Sequence, residues 1–222
     1  MERIRGVGAV IVAAGSSERM GGRDKMSVLL RGKPLLAWSV DVCQGCTLVQ
    51  QIVIVLLERN MKLGERLVEE RAWTKASVCL GGPRRQDSVK EGIHRLRDCG
   101  WAVIHDGARP FLTPELIWNG VEAARETGAA VAAVPVKDTI KLADDTGLVT
   151  ATLERGRLWA IQTPQVFAFD VITQAYQELA TEVSDDAAAV EGREGKVKLY
   201  MGSYRNIKVT TPEDLMLAEV IV

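Results

Sequence analysis

The chain has very little histidine: His94 and His105 are the only two. Cysteine is scarce too, with Cys43, Cys46, Cys79 and Cys99 and a single C-x-x-C at 43–46. A zinc site needs a second pair, or histidines at ligand spacing, and neither is present. The thiols read as reduced residues of a cytosolic protein. Net charge is nearly absent, −1 at pH 7. No overall field therefore draws the chain to nucleic acid or to an anionic membrane, and any anion site must be built locally. No apolar run reaches the roughly 18 residues of a membrane span. The N-terminus is basic and then apolar, superficially like a signal peptide, but it runs into a glycine turn and a charged loop and reads as a first strand. Repeats, low-complexity tracts and linkers are also missing.

What is present suits one sizeable α/β core. The chain has 222 residues, 47% of them hydrophobic and 26% charged. Apolar, β-branched runs alternate with helix-period segments. Strands are expected at Val7–Ala13, Gln51–Leu57, Ser77–Leu80, Trp101–His105 and Ala129–Val134. Helices are expected between them at Leu35–Cys43, Met61–Arg71, Asp87–Leu96 and Pro114–Glu126. This rhythm predicts a Rossmann-like, mainly parallel sheet with helices on both faces and ligands at one edge. After Pro135 the rhythm breaks. Thr139–Leu142 and Leu148–Leu153, separated by a turn at Asp144–Gly147, read as a hairpin. A single domain with a projecting arm near 137–157 follows. Helices are expected again at Val171–Leu179 and Asp185–Glu191, with a strand at Lys196–Met201. A last helix opens at Pro212 with Thr211 as its N-cap.

The loop after the first strand, Ala13-Ala14-Gly15-Ser16-Ser17-Glu18-Arg19-Met20-Gly21-Gly22-Arg23-Asp24-Lys25, is the strongest chemical signal. Small residues let the main chain approach a ligand, and exposed N–H groups in such a turn cradle phosphate oxygens. Arg19 and Lys25 add positive charge suited to a triphosphate and its transition state. The loop is neither a Walker A sequence nor a G-x-G-x-x-G fingerprint. The bland alternative is a solvated turn with scattered charges.

Other segments carry chemistry less exclusively. Gly81-Gly82 precede a helix that Ser88 and Asp87 enter, either lining a ligand or simply capping the helix. Asp106 ends a strand, where a carboxylate can hold Mg2+ or a substrate hydroxyl, or pair with Arg109 as a structural ion pair. Lys208 lies near the end of the chain, where a lone lysine is usually just solvated.

Taken together these pieces resemble the 2-C-methyl-D-erythritol 4-phosphate cytidylyltransferase family. The first loop is similar to the A-A-G-x-G-x-R-M-G…K signature of sugar-phosphate nucleotidyltransferases. Gly81-Gly82-Pro83-Arg84-Arg85-Gln86-Asp87-Ser88-Val89 resembles G-G-x-x-R-x-x-S-V, and His105–Pro110 resembles H-D-A-A-R-P. Pro135–Lys141, Arg155–Trp159 and Gln162–Gln165 match P-V-x-D-T-x-K, R-x-x-L-W and Q-T-P-Q. Ser184–Ala187 resembles T-D-[DE]-A, and Asn206–Asp214 matches N-I-K-V-T-x-P-x-D. The chain departs at Ser17 for a glycine, Gly107 for an alanine, Ser184 for a threonine, Asp24 before Lys25, and a one-residue-shorter Arg19-to-Lys25 spacing.

The resemblance implies a nucleotide-diphospho-sugar transferase fold and transfer of CMP from CTP to a small polyol phosphate, with release of pyrophosphate. It implies CTP contacts at Ala13, Ala14, Gly15, Gly81, Gly82, Ser88 and Gly107. It implies acceptor contacts at Asp106, Arg109, Thr139, Thr163 and Ser184. Arg19 and Lys25 would stabilise the charge at phosphorus, while Arg155 and Lys208 hold the acceptor phosphate. The arm is expected to clasp a second subunit, so that Thr139 and Arg155 serve the neighbouring site of a homodimer. Mg2+ would bridge phosphates, with Asp106 the one carboxylate near it. Two alternatives share parts of this pattern: a ribitol 5-phosphate cytidylyltransferase and a catalytically silent nucleotide-binding module. The arm sequence V-K-D-T-I-K leans towards methylerythritol phosphate. A Rossmann dehydrogenase fails on the missing dinucleotide fingerprint.

Overall fold

The computed structural model describes residues 6–15 and 28–222. In chain order these form β1 (Val7–Val12), β2 (Leu29–Leu30), β3 (Lys33–Pro34), α1 (Leu35–Gly45), β4 (Val49–Leu56), α2 (Met61–Glu70), β5 (Ala76–Leu80), α3 (Arg85–Arg95) and β6 (Trp101–Asp106). There follow α4 (Pro114–Ala124), β7 (Ala129–Pro135), β8 (Lys141–Ala143), β9 (Val149–Thr152), β10 (Trp159–Ala168), α5 (Phe169–Glu178), α6 (Asp186–Glu191), β11 (Lys198–Met201) and α7 (Pro212–Ile221).

Seven strands make one sheet in the order β11-β7-β10-β6-β1-β4-β5. All neighbours in it run parallel except β10, which is antiparallel to both β6 and β7. Period-two alternation sends one set of side chains to each face. Ala9, Ile11, Ile52, Ile54 and Leu56 meet Leu36 and Val40 of α1, Leu67 of α2 and Ile117 of α4. Val10, Val53 and Val55 meet Val89 and Ile93 of α3, Ile172 of α5 and Val190 of α6. Each such aliphatic side chain contributes about 1.5–3 kcal/mol by burial. Both faces of β1 and β4 are thus covered, which is why their sequences read as unbroken apolar runs. The last helix starts as its sequence implies. Thr211 Oγ1 accepts from the Asp214 N–H, and Pro212 occupies the first turn.

Sequence patterning missed the short β2–β3 pair and, more consequentially, β10. It sits in the middle of the sheet, yet Gln162-Thr163-Pro164-Gln165 breaks its apolar alternation, and proline cannot donate to a ladder. The structure accommodates this with a bulge. Ile161 pairs with Ala133 and Gln165 with Val131, so three residues of β10 face one of β7. Pairing with β6 begins only at Gln165–Ile104. The bulge releases Thr163 from the ladder beside the end of β6, as bulges near functional sites commonly do. Between β7 and β10 the chain makes an excursion whose only ladder is the antiparallel β8–β9 pair, a separate two-stranded sheet.

Candidate active site

The C-terminal ends of the parallel strands bring the small-residue segments together. The Ala13 N–H donates to Val55 O at 2.9 Å, Gly81 N–H to Leu56 O at 2.8 Å, and Gly107 N–H to Val12 O at 2.9 Å. A Cβ added to Gly81 would lie 2.6 Å from Ala14 Cβ and 2.7 Å from Ser88 Oγ. One added to Gly107 would lie 2.9 Å from Leu36 Cδ1 and 3.2 Å from Ala13 Cβ. Both glycines therefore allow neighbouring main chains to close around Ala13 and Ala14. At position 107 the missing methyl matches the close approach of Leu36. Ser88 is buried, and its hydroxyl accepts the Gly82 N–H at 3.1 Å, so it shapes the 81–84 turn. Asp87 caps α3 together with Arg84, as the bland reading had it. Gly15 is exposed at the end of the first described segment. Arg19 and Lys25, with the departures at Ser17 and Asp24, lie outside the described residues.

The charged centre of this edge is Asp106. Its Oδ2 lies 2.7 Å from Lys208 Nζ and 3.9 Å from Arg109 Nε, and its Oδ1 lies 3.3 Å from Arg85 Nε. Burial would raise the pKa of this carboxyl, but Arg85 and Lys208 overcome that and hold it well below the usual carboxylate range. The ion pair of Asp106 with Arg109 therefore exists, but as one contact of a larger cluster. Such a centre does not fit a protein-held Mg2+. A dication beside Asp106 would face three cations, and among the described residues no group of three His, Cys, Asp or Glu side chains gathers to hold a metal. This runs against the expectation of Asp106 as a metal ligand.

Thr163, His105, Arg109 and Asn206 form the frame. Thr163 Oγ1 accepts the Asp106 N–H at 3.0 Å and lies 3.1 Å from His105 Nδ1. His105 Nε2 lies 3.0 Å from the Arg109 carbonyl oxygen. A carbonyl can only accept, so Nε2 carries the proton and Nδ1 accepts from the threonine hydroxyl. Burial favours that neutral ring and pushes its pKa down to about 4. Arg109 Nη1 donates to Asn206 O at 2.7 Å, and Asn206 Nδ2 donates to Thr163 O at 2.8 Å. The runs at 105–110, 162–165 and 206–209 are thereby locked into one unit. Burial depresses the Arg109 pKa, a shift that Asp106 opposes.

Arg85, Asp186, Tyr176 and Gln165 were not singled out from sequence. Arg85 also grips Asp186, with contacts of 3.0 and 2.8 Å, and Tyr176 Oη donates to Asp186 Oδ1 at 2.6 Å. Gln165 Nε2 donates to Asp185 Oδ2, and its Oε1 accepts the Ala187 N–H, both at 2.9 Å. That fixes the start of α6, just before which Ser184 is exposed. The arginine at position 85 of the glycine-pair motif was the available signal, because a charged residue entering a helix beside a strand end is poised to meet carboxylates there.

Thr139 and Arg155 stand apart. Both are exposed, and Arg155 Nη1 donates to Lys137 O at 3.0 Å. Among the described residues no hydrogen bond or ion pair links either to Asp106, Arg85 or Lys208. Cys43 and Cys46 are buried in the core, where burial pushes the Cys43 thiol up to about 12. A thiolate suited to metal or redox chemistry is thereby disfavoured. No helix among the described residues is long and apolar enough to cross a membrane.

Residues 7–222 match the family model for 2-C-methyl-D-erythritol 4-phosphate cytidylyltransferase. A curated relative of that name from Dehalococcoides mccartyi is 50% identical over 217 residues, covering 97% of this chain and 96% of its own. One from Alkaliphilus oremlandii is 40% identical over 230 residues, covering 100% and 97%. The crystal structure of 4-diphosphocytidyl-2C-methyl-D-erythritol synthase from Anaerococcus prevotii is similar with a TM-score of 0.88 at 29% identity, covering 97% of this chain and 95% of that one. The motifs meeting around Asp106 and this whole-length likeness agree: the chain belongs to the 2-C-methyl-D-erythritol 4-phosphate cytidylyltransferase family.

Proposed function

We propose that this protein transfers CMP from CTP to 2-C-methyl-D-erythritol 4-phosphate, releasing pyrophosphate and forming 4-diphosphocytidyl-2-C-methyl-D-erythritol for non-mevalonate isoprenoid synthesis. The observation that carries the reading is the meeting of three distant runs, 105–110, 162–165 and 206–209, around one carboxylate. They meet at the sheet edge where Ala13 and Ala14 end the first strand.

CTP lies between the first loop and the 81–88 turn, against Ala13, Ala14, Gly15, Gly81, Gly82 and Gly107, with Ser88 supporting that turn. A phosphate oxygen of the acceptor attacks the α-phosphorus in line, and pyrophosphate leaves. The attacking phosphate is already ionised at neutral pH, so positioning and electrostatics supply the acceleration and no general base is required. Lys208 spends one of its three N–H donors on Asp106 and presents the others to the acceptor phosphate. Arg109, Thr163 and Ser184 line the same acceptor side. Arg19 and Lys25 offset the charge that grows on the α-phosphate and the departing pyrophosphate. Mg2+ enters this reading with CTP, as part of the substrate, held by phosphate oxygens and water.

The arm completes the site of a second copy. Leu142, Leu148 and Val149 on it are 49%, 69% and 59% exposed, an apolar surface suited to being covered in a homodimer. Thr139 and Arg155 then reach the partner's acceptor. Four free cysteines support a reducing, cytosolic location.

The test is pyrophosphate release by the purified protein with CTP and Mg2+, given either methylerythritol phosphate or ribitol 5-phosphate. Faster turnover of the first is expected. Preference for ribitol 5-phosphate would replace the acceptor, and CTP binding without release from either would leave a silent binding module.

A further inference from the structure

Arg85 contacts both Asp106 and a second, more deeply buried carboxylate, Asp186. A guanidinium is planar and offers its donors in a fixed fork. Here Nη1 and Nη2 close on Asp186 Oδ1 and Oδ2 at 3.0 and 2.8 Å, leaving Nε facing Asp106 Oδ1 at 3.3 Å. Asp186 is a buried, multiply bonded anchor. It is fully buried and receives Tyr176 Oη at 2.6 Å from α5. The flanking chain is tied to β10 through Gln165 and to α3 through Gln86, whose Oε1 accepts the Val183 N–H at 3.1 Å.

We propose that Arg85 is a positioning residue for acceptor binding: braced on Asp186, it fixes the plane of the Asp106 carboxylate so that the other oxygen of Asp106 aims Lys208 at the acceptor phosphate. The inference rests on the function proposed above. Lysine is a point charge on a flexible stem, and without a fixed counter-ion its ammonium has no preferred direction. Asp106 Oδ2, 2.7 Å from Lys208 Nζ, supplies that direction. Without Arg85 the carboxylate would be held only through Oδ2, by Lys208 and by the longer 3.9 Å contact with Arg109, and could turn about that oxygen. Held at Oδ1 by Arg85, it cannot. The mere alternative is that Arg85 exists to neutralise the buried Asp186.

The two roles separate in steady-state kinetics on the full chain with CTP and methylerythritol phosphate. Turnover by the wild-type protein is measured first, and its absence would overturn the functional reading before any variant is made. Arg85→Gln alone strands the buried Asp186 charge, so the informative variant is Arg85→Gln with Asp186→Asn, which removes both charges of the pair together. Its KM for the acceptor is expected to rise roughly tenfold or more, as for loss of a hydrogen bond to a charged group. Its KM for CTP should stay within about twofold, since no nucleotide contact is removed. In an Asp106→Asn background the same pair should add less than about twofold, because its effect passes through Asp106. Arg85→Lys, which keeps one charge but cannot span both carboxylates, should give an intermediate rise, and it carries the test if the double variant fails to fold. A wild-type acceptor KM in the double variant, or in Arg85→Lys, would overturn the proposal and reduce Arg85 to the counter-ion of Asp186. A rise confined to the KM for CTP would overturn it equally.

Discussion

The sheet edge and the arm carry the same kinds of side chain in opposite surroundings. At the edge, Thr163 is 4% exposed and hydrogen-bonded on both sides, Arg109 is clamped to Asn206, and Lys208 is paired with Asp106. On the arm, Thr139 is exposed, the Arg155 guanidinium donates to the Lys137 carbonyl, and Lys137 lies over the Tyr204 ring at 3.8 Å. The first set is preorganised within the chain. The second is left facing outward, as the proposed docking of the arm on a second copy requires. Residue type alone therefore says little about role. What separates the two sets is how many of their polar atoms are already satisfied within the chain.

The largest effect that should separate the regions is on stability. Asp106→Ala leaves Arg109 and Lys208 without their shared counter-ion and is expected to cost about 3 kcal/mol, the low end for breaking a buried pair. Urea unfolding reads this directly, and an unchanged midpoint would mean that the edge is less tightly wired than its geometry implies. Next come the acceptor-holding cations. Lys208→Ala and Arg155→Ala should each lower activity at subsaturating acceptor by roughly tenfold or more. Mixed and allowed to exchange subunits, the two impaired variants should recover roughly a quarter of wild-type activity, since in the proposed dimer half the pairs are hybrids with one intact site of two. No recovery would place Arg155 in its own subunit's site and erase the distinction between arm and edge.

A threonine pair gives a smaller contrast. Thr163→Val leaves the Asp106 N–H and His105 Nδ1 without partners and should cost about 1–3 kcal/mol. Thr139→Val on the arm should stay within about 0.5 kcal/mol. The last effect is nil at neutral pH and grows only as pH falls. His105 is held neutral down to about 4, whereas an unfolded histidine protonates below 6.5. Below 6.5 the unfolded state thus binds the extra proton. The stabilisation is whole above that pH and drains by about 1.4 kcal/mol per unit as pH falls towards 4. Asp106, whose folded value is also shifted down, adds a loss of the same sign only as pH falls below its ordinary value of 3.8. His105→Gln should flatten the slope between 6.5 and 4 in pH-dependent unfolding. An unaltered slope would show that the ring titrates normally in the folded protein.

Much of the parallel core was legible because β1 and β4 are covered on both faces and therefore read as Val/Ile runs. The glycine turns were legible because close backbone approach demands small residues at 81 and 107. Strand β10 was not, since Pro164 forbids ladder bonding at the point where the fold uses a bulge. The reach of Arg85 to Asp186 was hidden for a different reason. It joins residues 101 apart in sequence, and nothing local to either position encodes the pairing. Lys208 shows the intermediate case: alone it is an ordinary surface lysine, and only its 2.7 Å contact with Asp106 gives it a place in the site.

The excursion between β7 and β10 begins and ends at one spot, since Pro135 pairs with Trp159 and the Val136 N–H donates to Leu158 O at 3.1 Å. Its two stems are already spliced together by the sheet, so the number of residues in between is a free variable of evolution. The hairpin tip between Lys141 and Thr152 could therefore change length without displacing the strands around Asp106, whereas Thr139 and Arg155 sit on the stems and tie those stems to the proposed chemistry.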